Sequence, residues 1–159
     1  MSRVDGDATL ILGLGNPLQS DDGLGVRVAE MLADQELPPG VKVEEVGTPG
    51  LGLAAWLEGQ SRVIIVDAVY MGQSPGTWRR FGPGEVRLIA NSDVVSLHEP
   101  GLAEALALAQ ALDALPQEIV FYGDGDLFGK NIQQLDIFLF IDDIFPGIAD
   151  TQYPDYPAF

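Results

Sequence analysis

Residues 10–25 read LILGLGNPLQSDDGLG, an apolar run that breaks into a glycine-containing loop and then into two adjacent acids. We interpret this stretch as a buried first strand, a tight turn at residues 13–17 and a helix that begins at Ser20. Ser20 is a residue type favoured as an N-cap, and Asp21 and Asp22 would lie in the first helical turn, where the helix dipole stabilises carboxylates. Because successive helical residues point about 100° apart, only one of the two acids can face a given cleft.

The glycines of this stretch do not complete a phosphate-binding loop. A dinucleotide-binding fingerprint needs a third glycine three residues after the second, where this chain has Leu18. A Walker loop needs Gly-Lys-Ser or Gly-Lys-Thr, which the stretch lacks. An ordinary strand-to-helix junction with an acid-rich first turn is therefore the simplest interpretation of these residues taken alone.

The rest of the chain alternates predicted strands and helices, which indicates an α/β fold. Residues 62–67 form a largely β-branched run that predicts a central parallel strand, buried on both faces and ending at Asp67. We expect one domain, residues 1–159, built as a three-layer sandwich with a mostly parallel twisted sheet and helices on both faces. The other predicted elements are helices over residues 20–35, 51–58 and 100–115, and strands over residues 41–46, 77–81, 86–89 and 118–122.

The composition argues against several classes of partner. The 159 residues carry 24 acids against eight bases, a formal net charge of -16, so nucleic acid and anionic membranes are not expected to bind. There are no cysteines, which excludes thiol catalysis and disulfides. No apolar run approaches the roughly 20 residues of a membrane span, and the N-terminus lacks the pattern of a secretion signal. We expect a cytoplasmic protein.

Chemistry is expected beyond the carboxyl ends of the strands, where ligands bind in open α/β sheets. Asp22 follows the first strand, Asp67 ends the central strand and His98 precedes a predicted helix, so all three could reach this edge. Two carboxylates and one imidazole suit a divalent metal such as nickel, zinc or iron(II) with open coordination positions. Asp67 as a helix cap and His98 as a half-buried loop residue are the structural alternatives.

His98 is the only histidine, which restricts the other kinds of hydrolytic site. A His-Glu-x-x-His zinc protease is excluded because it needs two histidines. A serine triad would have to use His98 as its base, with a nucleophile such as Ser96.

Five short segments follow one another with a spacing that is more specific than any one of them. They are Gly13-x-Gly15-Asn16-x-Leu18-x-x-Asp21-Asp22-Gly23-x-Gly25, Gly47-Thr48-x-Gly50, Val66-Asp67-Ala68, Pro75-Gly76-Thr77 and Ser96-x-His98-x-x-Gly101-Leu102. Together, from about residue 9 to residue 122, they resemble the nickel-iron hydrogenase maturation endopeptidases.

This resemblance implies a protease that removes the C-terminal extension of a hydrogenase large-subunit precursor after nickel has been inserted. It places the metal-contacting positions on Asp22, Asp67 and His98. Asp21 matches a neighbouring acid, which could serve as a base for water or support the site. The resemblance also implies that the nickel is supplied by the substrate, although another divalent cation such as zinc could bind the isolated protein. We expect a monomer whose partner is the precursor.

The tail from about residue 123 departs from the resemblance. Gly-Asp-Gly-Asp at residues 123–126 leads to an apolar run at residues 137–141 and a Pro- and Tyr-rich end. Relatives usually have a glycine-rich loop and a long amphipathic helix there. The departure keeps open a second hypothesis, a non-catalytic nickel- or precursor-binding chaperone on the same fold.

A third hypothesis is a hydrolase similar to peptidyl-tRNA hydrolase, because residues 13–17 also resemble the opening of that family. Such an enzyme would need a His-Asn pair shortly afterwards and a basic groove for RNA. This chain has Asp21 and Asp22 in that region and a net charge of -16, which disfavours the hypothesis.

Overall fold

The computed structural model of the protein describes residues 8–68, 77–81, 85 and 102–124. Its strands are β1 (Thr9–Leu14), β2 (Val41–Gly47), β3 (Arg62–Ala68), β4 (Trp78–Phe81) and β5 (Glu118–Asp124). Within the described residues, its helices are α1 (Leu24–Ala33), α2 (Leu53–Leu57) and α3 (Leu102–Ala111), with 3₁₀ turns at Ser20–Gly23 and Gly50–Gly52. None of the helices in these ranges has the length and apolar character needed to cross a membrane.

The described strands form one sheet in the order β2-β1-β3-β5-β4. The β1–β2, β1–β3 and β3–β5 pairs are parallel, whereas β4 runs antiparallel to β5. The carboxyl ends of β1, β2, β3 and β5 therefore meet at one edge, which we call the carboxyl edge. The predicted mostly parallel sheet is confirmed.

Helices cover both faces of this sheet, as the sequence predicts. On one face, Leu12 and Ile65 belong to a core that includes buried residues of α2 and α3. On the other face, Ile11 and Ile64 pack with buried residues of α1. Because neighbouring residues of a strand point to opposite faces, the continuous apolar run of β3 contributes to both cores.

The predicted helices exist but are shorter than the periodicity suggests. The last helix, predicted to run to residue 115, ends at Ala111, and the side chain of Leu112 beyond it is 64% exposed. α3 ends at Ala111 because the chain turns at Asp113, which has a φ of 54°, and the Ala114 N–H donates to the Ala109 carbonyl at 2.8 Å. Ala114 and Leu115 then pack against the core instead.

The first helical segment begins at Ser20, as predicted, but its first turn, Ser20–Gly23, is a 3₁₀ helix rather than part of α1. α1 begins at Leu24, and its N-cap is Gly23, with no side-chain hydrogen bond to the helix end. Asp21 and Asp22 lie in the 3₁₀ turn before α1 rather than in its first turn. The backbone of this turn bonds to the preceding loop, since the Asn16 N–H donates to the Asp22 carbonyl at 3.1 Å.

Predicted strands at residues 41–46, 62–67, 77–81 and 118–122 are confirmed, with small changes in bounds. The predicted strand at residues 86–89 and the tail beyond residue 124 lie outside the described residues.

Candidate functional site

Two glycines allow the start of α1 to lie directly on the ends of two strands. A Cβ atom on Gly25 would overlap the carbonyl oxygens of Val66 and Leu14, and one on Gly13 would overlap the carbonyl oxygen of Gly25. No side chain larger than hydrogen fits at either position. The glycine pattern of this stretch is thus explained by close packing of a strand and a helix, with no need of a phosphate ligand.

The loop between β1 and the 3₁₀ turn is held by hydrogen bonds at both ends. Gly15 has a φ of 128°, a value that L side chains rarely adopt, and its N–H donates to the Gly47 carbonyl at 2.8 Å. The Asn16 side-chain oxygen accepts the Leu18 N–H at 3.0 Å, and the Asn16 carbonyl accepts the Gln19 N–H at 3.0 Å. This loop therefore fixes the position of the turn that carries Asp22.

Asp22 and Asp67 are brought to the same edge of the sheet from neighbouring strands. The 3₁₀ turn that contains Asp22 contacts β3. Three residues later, Gly25 lies against the carbonyl of Val66, the residue before Asp67. Asp22 is partly buried, in keeping with a side chain at the rim of this edge.

Asp67, in β3, is fully buried, with 0% of its surface exposed. One of its oxygens, Oδ1, accepts the N–H of Ala68 at 2.8 Å, which orients the carboxylate at the end of β3. Burying a carboxylate is costly unless hydrogen bonds, an opposite charge or a metal compensate it. An acid kept at this place, where an apolar residue would continue the strand, is a strong candidate for a functional group.

For the other two predicted site residues, the structure gives the backbone position of Asp21 and does not describe His98. The backbone of Asp21 lies in the same 3₁₀ turn as Asp22. His98 lies outside the described residues. Within the described ranges, no three residues of the types that bind metals form a group able to hold an ion, and only two members of the predicted set, Asp22 and Asp67, belong to the part searched.

The sequence also contains a serine pattern that the interpretation above does not include. Residues 72–76, GQSPG, match the Gly-x-Ser-x-Gly pattern of a nucleophile elbow, which requires a strand before the serine and a helix directly after it. β3 ends at Ala68, and strand β4 begins at Trp78, only two residues after the motif. A strand in place of the helix does not fit the elbow.

A family model described as hydrogenase maturation protease (HycI) matches residues 26–130. The chain belongs to the hydrogenase maturation protease family. This membership confirms the resemblance seen in the sequence.

Relatives with curated descriptions agree with this assignment. The hydrogenase expression/formation protein HupM of Azotobacter chroococcum mcd 1 is 37% identical over 115 residues, which cover 72% of this chain and 55% of that protein. The hydrogenase 2 maturation protease of Escherichia coli (strain K12) is 31% identical over 116 residues, which cover 72% of this chain and 70% of the relative. The chain thus spans little more than half the length of the Azotobacter relative.

Solved structures share the fold. The hydrogenase maturating endopeptidase HybD from E. coli superposes with a TM-score of 0.65 at 30% identity, covering 74% of each chain. The [NiFe] hydrogenase maturation protease HybD from Thermococcus kodakarensis gives a TM-score of 0.58 at 34% identity, covering 74% of this chain and 79% of its own. The α/β fold expected from the sequence is confirmed by these likenesses.

Proposed function

We propose that this protein is an endopeptidase that removes the C-terminal extension of a [NiFe] hydrogenase large-subunit precursor and recognises the nickel held in that precursor. The observation that carries the proposal is that Asp22, in a 3₁₀ turn that contacts β3, and the buried Asp67, in β3 itself, both lie at the carboxyl edge. Membership of the hydrogenase maturation protease family supports the reaction class. In this proposal, nickel belongs to the substrate.

The course of α3 supports a contribution of His98 to this edge. α3 leads to β5, whose first residue, Glu118, pairs with Arg62 at the opposite edge, so α3 begins on the carboxyl side of the sheet. The 3₁₀ turn Gly50–Gly52, which follows β2, contacts α3. His98 precedes Leu102 by four residues, a span of at most roughly 14 Å. An imidazole within that span can join two carboxylates as a ligand for nickel.

Each residue has a distinct role in the proposal. Asp22, Asp67 and His98 bind the nickel of the precursor, and nickel is suited by carboxylate and imidazole ligands. The Ala68 N–H keeps the Asp67 carboxylate in one orientation at the end of β3, in which it binds that nickel. Asp21 activates the attacking water as a general base or supports the site.

The proposal is tested by cleavage of a purified large-subunit precursor, nickel-loaded or metal-free, analysed by mass spectrometry. We expect the loaded precursor to be cleaved and the metal-free one to remain intact. His98→Ala and Asp22→Asn should abolish cleavage. The matched control is Asp34→Asn, because Asp34 is an exposed acid at the end of α1.

Two outcomes would contradict the proposal. Rapid cleavage of the metal-free precursor in the presence of chelator would show that nickel is not needed for recognition. It would indicate a serine nucleophile such as Ser96 instead. Binding of the loaded precursor without cleavage would favour the chaperone hypothesis, which the atypical tail keeps open.

A further inference from the structure

Two leucines are exposed in the loops that border the candidate site. Leu18, in the loop after β1, is 92% exposed, and Leu51, in the 3₁₀ turn after β2, is 55% exposed. Because β1 and β2 are parallel neighbours, both residues lie at the carboxyl edge. We call this pair the edge leucines.

The backbone around the edge leucines is fixed by hydrogen bonds. The Leu18 N–H is bound to the Asn16 side chain at 3.0 Å, and the Gly52 N–H donates to the Pro49 carbonyl at 3.0 Å. The Gly15–Gly47 hydrogen bond of 2.8 Å ties the two loops together. Because the backbone of these loops is already fixed, little backbone entropy is lost when a partner covers them, so both loops are preorganised for contact.

The position of Leu18 places it inside an interface of standard size that is centred near Asp22. The two residues are four positions apart in the chain, so their Cα atoms are at most roughly 14 Å apart, and the Asn16–Asp22 hydrogen bond closes the loop further. A standard protein interface buries about 800 Å² on each partner, which corresponds to a disc with a radius of about 16 Å. A precursor that presents its nickel to Asp22 therefore reaches Leu18 as well.

We propose that the edge leucines bind apolar side chains of the precursor beside its nickel site and help to determine which precursor is accepted. This inference rests on the proposed function, since it takes the precursor as the molecule that covers the carboxyl edge. The edge leucines act in substrate binding and take no part in the chemistry of cleavage.

The test measures the steady-state kinetics of cleavage of a nickel-loaded precursor by Leu18→Ala, Leu51→Ala and the double variant. We expect each single change to raise KM about tenfold without changing kcat, because a lost apolar contact weakens binding of the ground and transition states equally. Leu18→Met, which preserves apolar volume, should restore most of the affinity. The matched control is Leu112→Ala, which alters a leucine that is 64% exposed beyond the end of α3, toward the opposite edge.

The outcomes separate the inference from the proposed function. If the parent protein cleaves no loaded precursor, the proposed function fails and the inference fails with it. If the parent cleaves and both edge variants keep the parental KM, the inference alone is overturned. An equal rise in KM for Leu112→Ala would also overturn it, because the effect would not be confined to the carboxyl edge. Thermal melting of each variant should match the parent, since exposed side chains give up few core contacts.

Discussion

Gly25 is the residue at which the backbone of α1 meets the ends of β1 and β3. We expect Gly25→Ala to lower the free energy of unfolding by about 1–3 kcal/mol, because the added Cβ would overlap the carbonyl oxygens of Val66 and Leu14. Urea denaturation measures the change. The shift in backbone should also displace Asp22 and reduce cleavage.

Gly52→Ala is the matched control for this substitution. Nothing lies within 4 Å of a Cβ at Gly52, and its φ of -61° suits any residue. Restricting the unfolded chain should leave the variant equal to the parent or about 0.4–1 kcal/mol more stable. Equal unfolding midpoints for Gly25→Ala and Gly52→Ala would show that the close contact at Gly25 does not constrain the fold.

Asp67 is a residue at which a conservative substitution should separate loss of activity from loss of the fold. Asp67→Asn keeps a side-chain oxygen that can accept the Ala68 N–H but removes a buried charge. We expect cleavage to fall by at least about 10²-fold, because a neutral amide is a weaker ligand for nickel than a carboxylate, while the cooperative unfolding transition is retained. Parallel cleavage assays and urea titrations check this, and retained cleavage would exclude Asp67 from the site.

At the scale of secondary structure, the ends of α1 and α3 offer a paired test of backbone strain. Asp113, just beyond α3, has a φ of 54°, whereas Asp34, at the end of α1, has a φ of -80°. Glycine adopts positive φ without strain, so Asp113→Gly should stabilise the protein by about 0.5–1 kcal/mol.

Asp34→Gly is the control, because no strain is relieved where φ is negative. The added freedom of the unfolded chain should destabilise this variant by about 0.5–1 kcal/mol. Thermal melting would show Tm shifts of opposite sign. Shifts of the same sign would mean that the conformation at Asp113 does not limit the stability of the end of α3.

For the whole molecule, the identity and number of the proposed ligands predict how tightly it binds free metal ions. Two carboxylates and one imidazole leave coordination positions open, and affinity alone selects poorly among first-row metals. A site completed by ligands of the precursor avoids capture of the wrong ion. We therefore expect only weak nickel binding by the isolated protein in isothermal titration calorimetry, and zinc binding of similar weakness. Tight stoichiometric binding of either ion would indicate a resident metal instead.

The sequence alone is enough to predict the class of fold and the family of this protein. The β-branched run of β3 and the alternation of strands and helices depend on local side-chain periodicity, which is visible without a structure. The order and spacing of the five segments are also visible without a structure. They indicate the family and identify Asp22 and Asp67 as candidate site residues. His98 remains a prediction from the sequence.

Only the tertiary structure decided where the elements begin and end and how the two acids are placed. Ser20 has the chemistry of an N-cap, yet α1 begins at Leu24, because the backbone of Asp22 is bonded to Asn16 across the loop. The sequence predicts a buried strand that ends at Asp67, but only the packing of the neighbouring elements around β3 shows that this acid is itself fully buried. These features depend on contacts between residues far apart in the chain or across a loop, and local propensity does not predict such contacts.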